Sequence, residues 1–85
     1  MPIISMFYGI IIEMRFDDHN PPHLHARHAS ESASFDFDGN IIAGKINKRD
    51  EKLVSAWIAL HQEELEINWM LAKENQDLIK ITPLS

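Results

Sequence analysis

The hydrophobic period changes once along this chain, from two residues before Asn47 to roughly 3.6 after it, and that switch narrows the folds open to it. Strands come first and helices follow. A run of strands succeeded by a run of helices builds an α+β layer arrangement, with helices gathered on one face of an antiparallel sheet. Eighty-five residues leave room for a single domain spanning 1–85.

Over residues 6–16, Tyr8, Ile10, Ile12, Met14 and Phe16 alternate with Gly9, Ile11, Glu13 and Arg15. This reads as one strand with the first set in the core. Residues 17–22 form a turn, because Asp, Asn and two prolines do not fit a central strand and each proline pushes its predecessor to an extended conformation. Alternation resumes at His23, with Leu24, Ala26 and His28 toward the core and His23, His25 and Arg27 away from it. With Ser30 and Glu31 as a two-residue turn, Leu24 pairs with Phe37 and Ala26 with Phe35. His25 then falls opposite Asp36, and His23 opposite Asp38. Gly39-Asn40 suits a type II′ hairpin that returns through residues 41–46, pairing Phe37 with Ile42 and Phe35 with Gly44.

Asn47 stands three residues before Asp50, a capping-box variant that uses a shorter acid. Beyond it Leu53, Val54, Trp57, Ile58 and His61, then Leu65, Asn68, Trp69 and Ala72, recur at helical spacing. The spacing predicts two helices meeting near residues 60–62, or one helix bent there, with both tryptophans laid on the sheet. Asn75 ends the second helix as a left-handed cap. Residues 78–81 have strand-like composition and suit a sheet edge or a partner. The expected fold is an antiparallel sheet of four to five strands covered on one face by a helical pair or one bent helix.

Against this frame the stretch His19-Asn20-Pro21-Pro22-His23-Leu24-His25 stands out, with three of the five histidines in seven residues. The chain has no cysteine, so a bound metal must be held by nitrogen and oxygen. Two imidazoles on one strand face sit about 7 Å apart at the backbone, near enough to chelate one cation. His19, His23 and His25 are the candidate metal ligands, with Asp36 or Asp38 as alternative third donors and a divalent ion such as zinc as the cofactor. The metal-free alternative is acid and base work by His23 and His25, with Asp36 orienting an imidazole and Arg15 and Arg27 binding a phosphate. A third alternative is a set of surface histidines bonded to neighbouring carboxylates. His28 and His61 read as partly buried, hydrogen-bonded residues, and Trp57 and Trp69 as core anchors. Asp17 and Asp18 read as turn formers that matter only if a metal lies within reach of His19.

The net charge of −5 argues against a protein that coats phosphate backbones, so RNA is a disfavoured partner. The basic group Lys45, Lys48, Arg49 and Lys52 reads as a solvated face. The first residues carry no basic leader, and the apolar run through Met14 is interrupted by Ser5, Gly9 and Glu13, so a cytoplasmic protein without membrane contact is expected. The size and the strand edges suit a homodimer.

The segments Phe7-Tyr8-Gly9-Ile10-Ile11-Ile12, Asp18-His19-Asn20-Pro21-Pro22-His23-Leu24-His25-Ala26, Ala33-Ser34-Phe35-Asp36, Lys48-Arg49, and Trp57-Ile58-Ala59-Leu60-His61-Gln62-Glu63-Glu64-Leu65 with Asn68-Trp69 resemble the small bacterial family catalogued as domain of unknown function 4160. The resemblance marks His19, Asn20, Pro21, Pro22, His23 and His25 as one motif and His61, Glu64, Asn68 and Trp69 as a second. It departs from the family pattern at His28 and at Asn47. The gene arrangement of such proteins implies a toxin–antitoxin-like two-gene module, whose partner is a small protein encoded by the neighbouring gene. The expectation is therefore a small cytoplasmic component of such a module, with nuclease-like hydrolysis at the His19, His23 and His25 cluster. Its alternatives are a protein-binding module without enzyme activity and a histidine/carboxylate metal-binding domain.

Overall fold

The computed structural model describes residues 2–85. It consists of β1 (Ile3–Phe7), β2 (Ile10–Glu13), β3 (His23–His28), β4 (Glu31–Asp36), β5 (Ile41–Lys45), α1 (Lys48–Leu60) and α2 (Gln62–Lys73). The strands form one antiparallel sheet in chain order, β1 to β5. Ile10, Ile12, Leu24, Ala26, Ala33 and Phe35 bury one sheet face with Val54, Trp57, Ile58, Leu65 and Trp69 from the helices. This is the expected α+β arrangement.

The first expected strand is a hairpin instead. Tyr8 and Gly9 both have positive φ, 51° and 82°, as a two-residue type I′ turn requires. Phe7 pairs with Ile10 across it. Apolar residues on both sides of the turn mask it, because only Gly9 among its residues is a typical turn former. Ile10, Ile12 and Met14 are buried as expected, whereas Tyr8 and Phe16 are exposed.

Both later hairpins differ in register. The β3–β4 turn is Ala29-Ser30, with Ala29 at a φ of 55°, so His28 pairs with Glu31. A turn placed one residue earlier moves every partner by two, which preserves the face each residue occupies. Leu24 therefore meets Phe35 and Ala26 meets Ala33 in the core, while His25 lies opposite Ser34 and His23 opposite Asp36. Strand β4 ends at Asp36, whose Oδ1 accepts the N–H groups of Asp38 at 3.0 Å and Asn40 at 2.9 Å. This side-chain-capped loop replaces the expected Gly39-Asn40 turn. A bulge then brings Phe35 opposite Ile41 and Ala33 opposite Gly44. Phe37 leaves the ladder and meets Trp69 edge-on, with ring centroids 6.3 Å apart.

The helical half follows the sequence closely. Asn47 Oδ1 accepts the Asp50 N–H at 2.9 Å, and its amide donates to Asp50 Oδ2 at 2.7 Å. The helices meet at His61, within the expected 60–62 interval. Asn75 has a φ of 55°, and the N–H groups of Asn75 and Gln76 return to the carbonyls of Ala72 and Leu71, a Schellman motif. The tail forms no strand but is anchored. Asn68, fully buried, donates to the Ile79 carbonyl and accepts the Ile79 N–H, both at 2.8 Å. Trp57 Nε1 donates to the Thr82 carbonyl, and the Ile81 N–H reaches Ile4 O on β1 at 2.8 Å. Among the described residues, no helix is long and apolar enough to cross a membrane.

Candidate metal centre

The loop of residues 17–22 arrives at the site already docked. The Asp17 N–H donates to the Ala72 carbonyl at the end of α2, at 3.0 Å, and Lys73 Nζ donates to the Asp18 carbonyl at 2.6 Å. These two contacts hold the Asp18 side chain over the start of β3. Asp18 Oδ2 lies 3.0 Å from His23 Nε2 and 3.2 Å from His25 Nε2. Alternation along β3 sends both imidazoles to the same side, as the sequence implies.

His23 is 2% exposed and sits among aromatic rings. Its ring centroid is 5.5 Å from that of Trp69 and 5.0 Å from that of His25. Its Nδ1 is 2.7 Å from the Pro21 carbonyl oxygen, which can only accept, so Nδ1 carries a proton. The Nε2 atom aimed at Asp18 is then either the second N–H of an imidazolium or a lone pair. His25 Nδ1 meets the Ser34 hydroxyl at 3.1 Å. A hydroxyl donates or accepts by rotation, so Ser34 supports either tautomer of His25.

The electrostatics favour the deprotonated forms of Asp18 and His25. Burial by itself raises the Asp18 carboxyl. Hydrogen bonds from His25 and from the His19 N–H, with the His23 and His19 charges, outweigh it and bring the group down to about 2. His25 is lowered from its ordinary value, first by burial and then by the Arg15 and His23 charges, against the raising effect of Asp18. At neutral pH Asp18 is therefore a carboxylate and His25 a neutral imidazole, the forms that bind metals. One donor atom each from Asp18, His23 and His25 lie within 4.8 Å of one another. Two imidazoles and a carboxylate are an accepted set for zinc or non-haem iron.

The remaining candidates are placed differently. His19 is 84% exposed at its side chain and contacts the other oxygen of Asp18, with Nδ1 3.0 Å from Oδ1. It borders the three-atom group without entering it. Asp36 spends Oδ1 on its own loop, and the carboxylate that meets the imidazoles is Asp18. Arg27 Nε donates to Glu13 Oε1 at 3.1 Å. His61 Nδ1 meets Glu64 at 3.2 Å and its ring packs on Trp57, in keeping with a partly buried, bonded residue.

The chain belongs to the family described as Domain of unknown function (DUF4160), whose model matches residues 9–70. Comparison with curated proteins and with solved structures gives no match. The matched span holds every residue of the Asp18, His23 and His25 group, together with Trp69 beneath it.

In the sequence Asp18 reads as a turn former that matters only if a metal lies within reach of His19, and Trp69 as a core anchor that the family resemblance also places in a second motif. A carboxylate one residue before a histidine motif was the available signal for Asp18. Nothing in the spacing signals Trp69, because its contact with His23 depends on how α2 crosses the end of the sheet.

His28 forms a second and separate histidine–aspartate contact. Its Nδ1 lies 2.6 Å from Oδ2 of the fully buried Asp50, the same oxygen that accepts from Asn47. A Cβ added to Gly9 would fall 2.8 Å from His28 Nε2, so the β1–β2 turn covers that nitrogen. Asp50 Oδ1 has no hydrogen-bond partner among the described residues, and Arg49 Nη1 is 3.7 Å from it.

Proposed function

We propose that Asp18, His23 and His25 hold a divalent metal ion, with zinc the best match to the donors, and that water on the metal carries out hydrolysis. The observation that carries this reading is the Pro21 carbonyl on His23 Nδ1. Metal-ligating histidines commonly donate their other ring N–H to a carbonyl or carboxylate, which fixes the tautomer with its lone pair toward the metal. Here that lone pair points at a carboxylate oxygen and is joined there by a neutral imidazole. A cation at the meeting point would be held by one donor atom each of Asp18, His23 and His25.

Three protein ligands leave a position for water, whose acidity a bound zinc raises to near neutrality. Held there, the metal would supply an acidified water as the nucleophile for hydrolysis, and the leaving group would take up that water's proton. His19, exposed and beside Asp18, is placed to relay that proton. Without a metal, His23 and Asp18 in the same contact would be the proton-exchanging pair of a metal-free acid and base mechanism.

Elemental analysis of protein purified without a histidine tag separates the two. About one equivalent of metal in the native protein, lost in His23→Ala with His25→Ala while circular dichroism is unchanged, supports the metal. Native protein that takes up neither zinc nor manganese when each is supplied at equimolar concentration sinks it.

The toxin–antitoxin-like setting belongs to the same proposal and rests on the family resemblance. It predicts growth arrest on expression that the double substitution removes, and copurification of the neighbouring gene's product. The alternative of a protein-binding module predicts copurification that survives the double substitution.

A further inference from the structure

The sheet face away from the helices carries a small grid set by strand register. Glu13 lies opposite His25, His25 opposite Ser34, and Ser34 opposite Ala43; in the next row Ile11, Arg27, Ser32 and Lys45 stand in sequence. Ser32, Ser34 and Ala43 are short, and Gly44 beside them has no side chain. Gly44 is fixed as glycine, with a φ of 77° and Ser32 O only 2.5 Å from where a Cβ would sit. Short residues flanked by long ones make a trough, and a cavity of about 320 Å³ lies there, bordered by Arg15, Arg27 and His25.

The trough has the chemistry of an anion site. Arg27 is held at Nε by the buried carboxylate of Glu13 while its side chain stays 48% exposed on the trough wall. A guanidinium gripped at one edge is pre-oriented, so less entropy is lost when its terminal nitrogens meet a tetrahedral oxyanion. The Ser32 and Ser34 side chains line the floor as hydroxyl donors, and Lys45 is Ser32's cross-strand neighbour. His25 lines the trough and also faces Asp18, so the trough and the candidate metal centre share one side chain.

We propose that this trough binds the phosphoryl group of a small phosphate ester and presents it to the Asp18, His23 and His25 centre, through the contiguity of Arg27, Ser32 and Ser34 with His25. The substrate class rests on the metal reading, whereas the binding site does not. The volume suits one phosphoryl group with a small substituent, and the chain's net charge of −5 opposes a long polyanion.

The test is a titration of metal-free protein with phenyl phosphate, followed by backbone amide NMR shifts. Saturable shifts are expected at residues 27, 32, 34 and 43. Ser32→Leu fills the trough at an exposed position, and Arg27→Gln removes the guanidinium; each is expected to weaken binding about tenfold or more. Because Arg27→Gln leaves the Glu13 carboxylate without its partner, Ser32→Leu supplies the independent arm. Absent or non-saturable shifts, or unchanged affinity in Ser32→Leu, overturn the proposal. So does a six-nucleotide RNA that binds more than tenfold tighter at the same residues, which marks a nucleic-acid surface. Phosphate-ester binding in a protein that takes up no metal keeps the trough and removes only the metal; metal uptake without ester binding does the reverse.

Discussion

Strand β3 carries a histidine–aspartate contact at each end, and the two are built from the same side chains for opposite ends. At its last residue His28 meets Asp50 at 2.6 Å, Asn47 bonds the same oxygen, and Gly9 covers the far ring nitrogen. One imidazole and one amide meet the same carboxylate oxygen, Oδ2, while Oδ1 has no hydrogen-bond partner among the described residues. At its first residues one carboxylate oxygen faces two imidazole nitrogens at 3.0 and 3.2 Å, and a carbonyl already holds the proton on the far side of one ring. The first arrangement ties the β1–β2 turn to the start of α1. The second sets one carboxylate oxygen between two imidazole nitrogens, a meeting point that takes either a proton from each ring or a shared cation. Residue type therefore does not separate the two contacts; the number of imidazoles converging on one carboxylate oxygen does.

That contrast is open to direct attack. The largest effect is expected from Asp50→Ala, which strips the acceptor from both His28 and Asn47 and should cost about 3 kcal/mol in urea unfolding. Metal affinity should stay within about twofold of the native protein, and a parallel loss of both would erase the distinction between the two ends. His23→Ala should act in the reverse sense. Calorimetric titration with zinc should show affinity lowered about a hundredfold, or roughly 2.7 kcal/mol, with a smaller loss of stability.

Acid supplies the third probe. Asp18 titrates at about 2 in the folded protein against an ordinary 3.8, so its contribution is complete above pH 4 and is lost as pH falls toward 2. His25 is also lowered, so the unfolded chain takes up its proton first and stability begins to decline as pH drops below 6.5. Both shifts weaken the fold toward acid, and the Asp18 share is on the order of 2 kcal/mol. Unfolding free energies of native protein and Asp18→Asn across pH 2 to 7 measure it; parallel curves would remove Asp18 from the account. The smallest effect belongs to Ser34→Ala, which takes away the hydroxyl that serves His25 in either tautomer. It should lower zinc affinity about tenfold by calorimetry and leave stability nearly unchanged.

The helical half was legible almost residue by residue, because its signals are local. Asn47 and Asp50 cap within one turn, the apolar stripe fixes the buried face, and Asn75 takes the left-handed position. The faces of β3 and β4 were legible too, since side-chain parity survives the two-residue shift that moved His25 from Asp36 to Ser34. Register was not, because a turn of Ala29-Ser30 competes with Ser30-Glu31 on nearly equal chemistry, and the choice is settled by packing across three strands. The site suffered most from this. Its histidines are contiguous in sequence, but its carboxylate comes from a loop held by the end of α2, and its aromatic floor from Trp69. Such partners are decided by tertiary docking, which spacing does not encode. Asn68 is similar: a polar residue on a buried helical stripe, explained only when the Ile79 backbone is seen lying across it.

That backbone clamp bears on how copies of the chain can associate. The β1 margin is partly occupied by the tail, through the Ile81 N–H on Ile4 O, whereas β5, exposed along most of its length, forms the other margin. A sheet with two open margins can propagate indefinitely; one with a single open margin can be joined only once, and the product has none left. By holding residues 79–82 down, Asn68 and Trp57 keep part of the β1 margin covered and leave β5 as the margin more open to another strand.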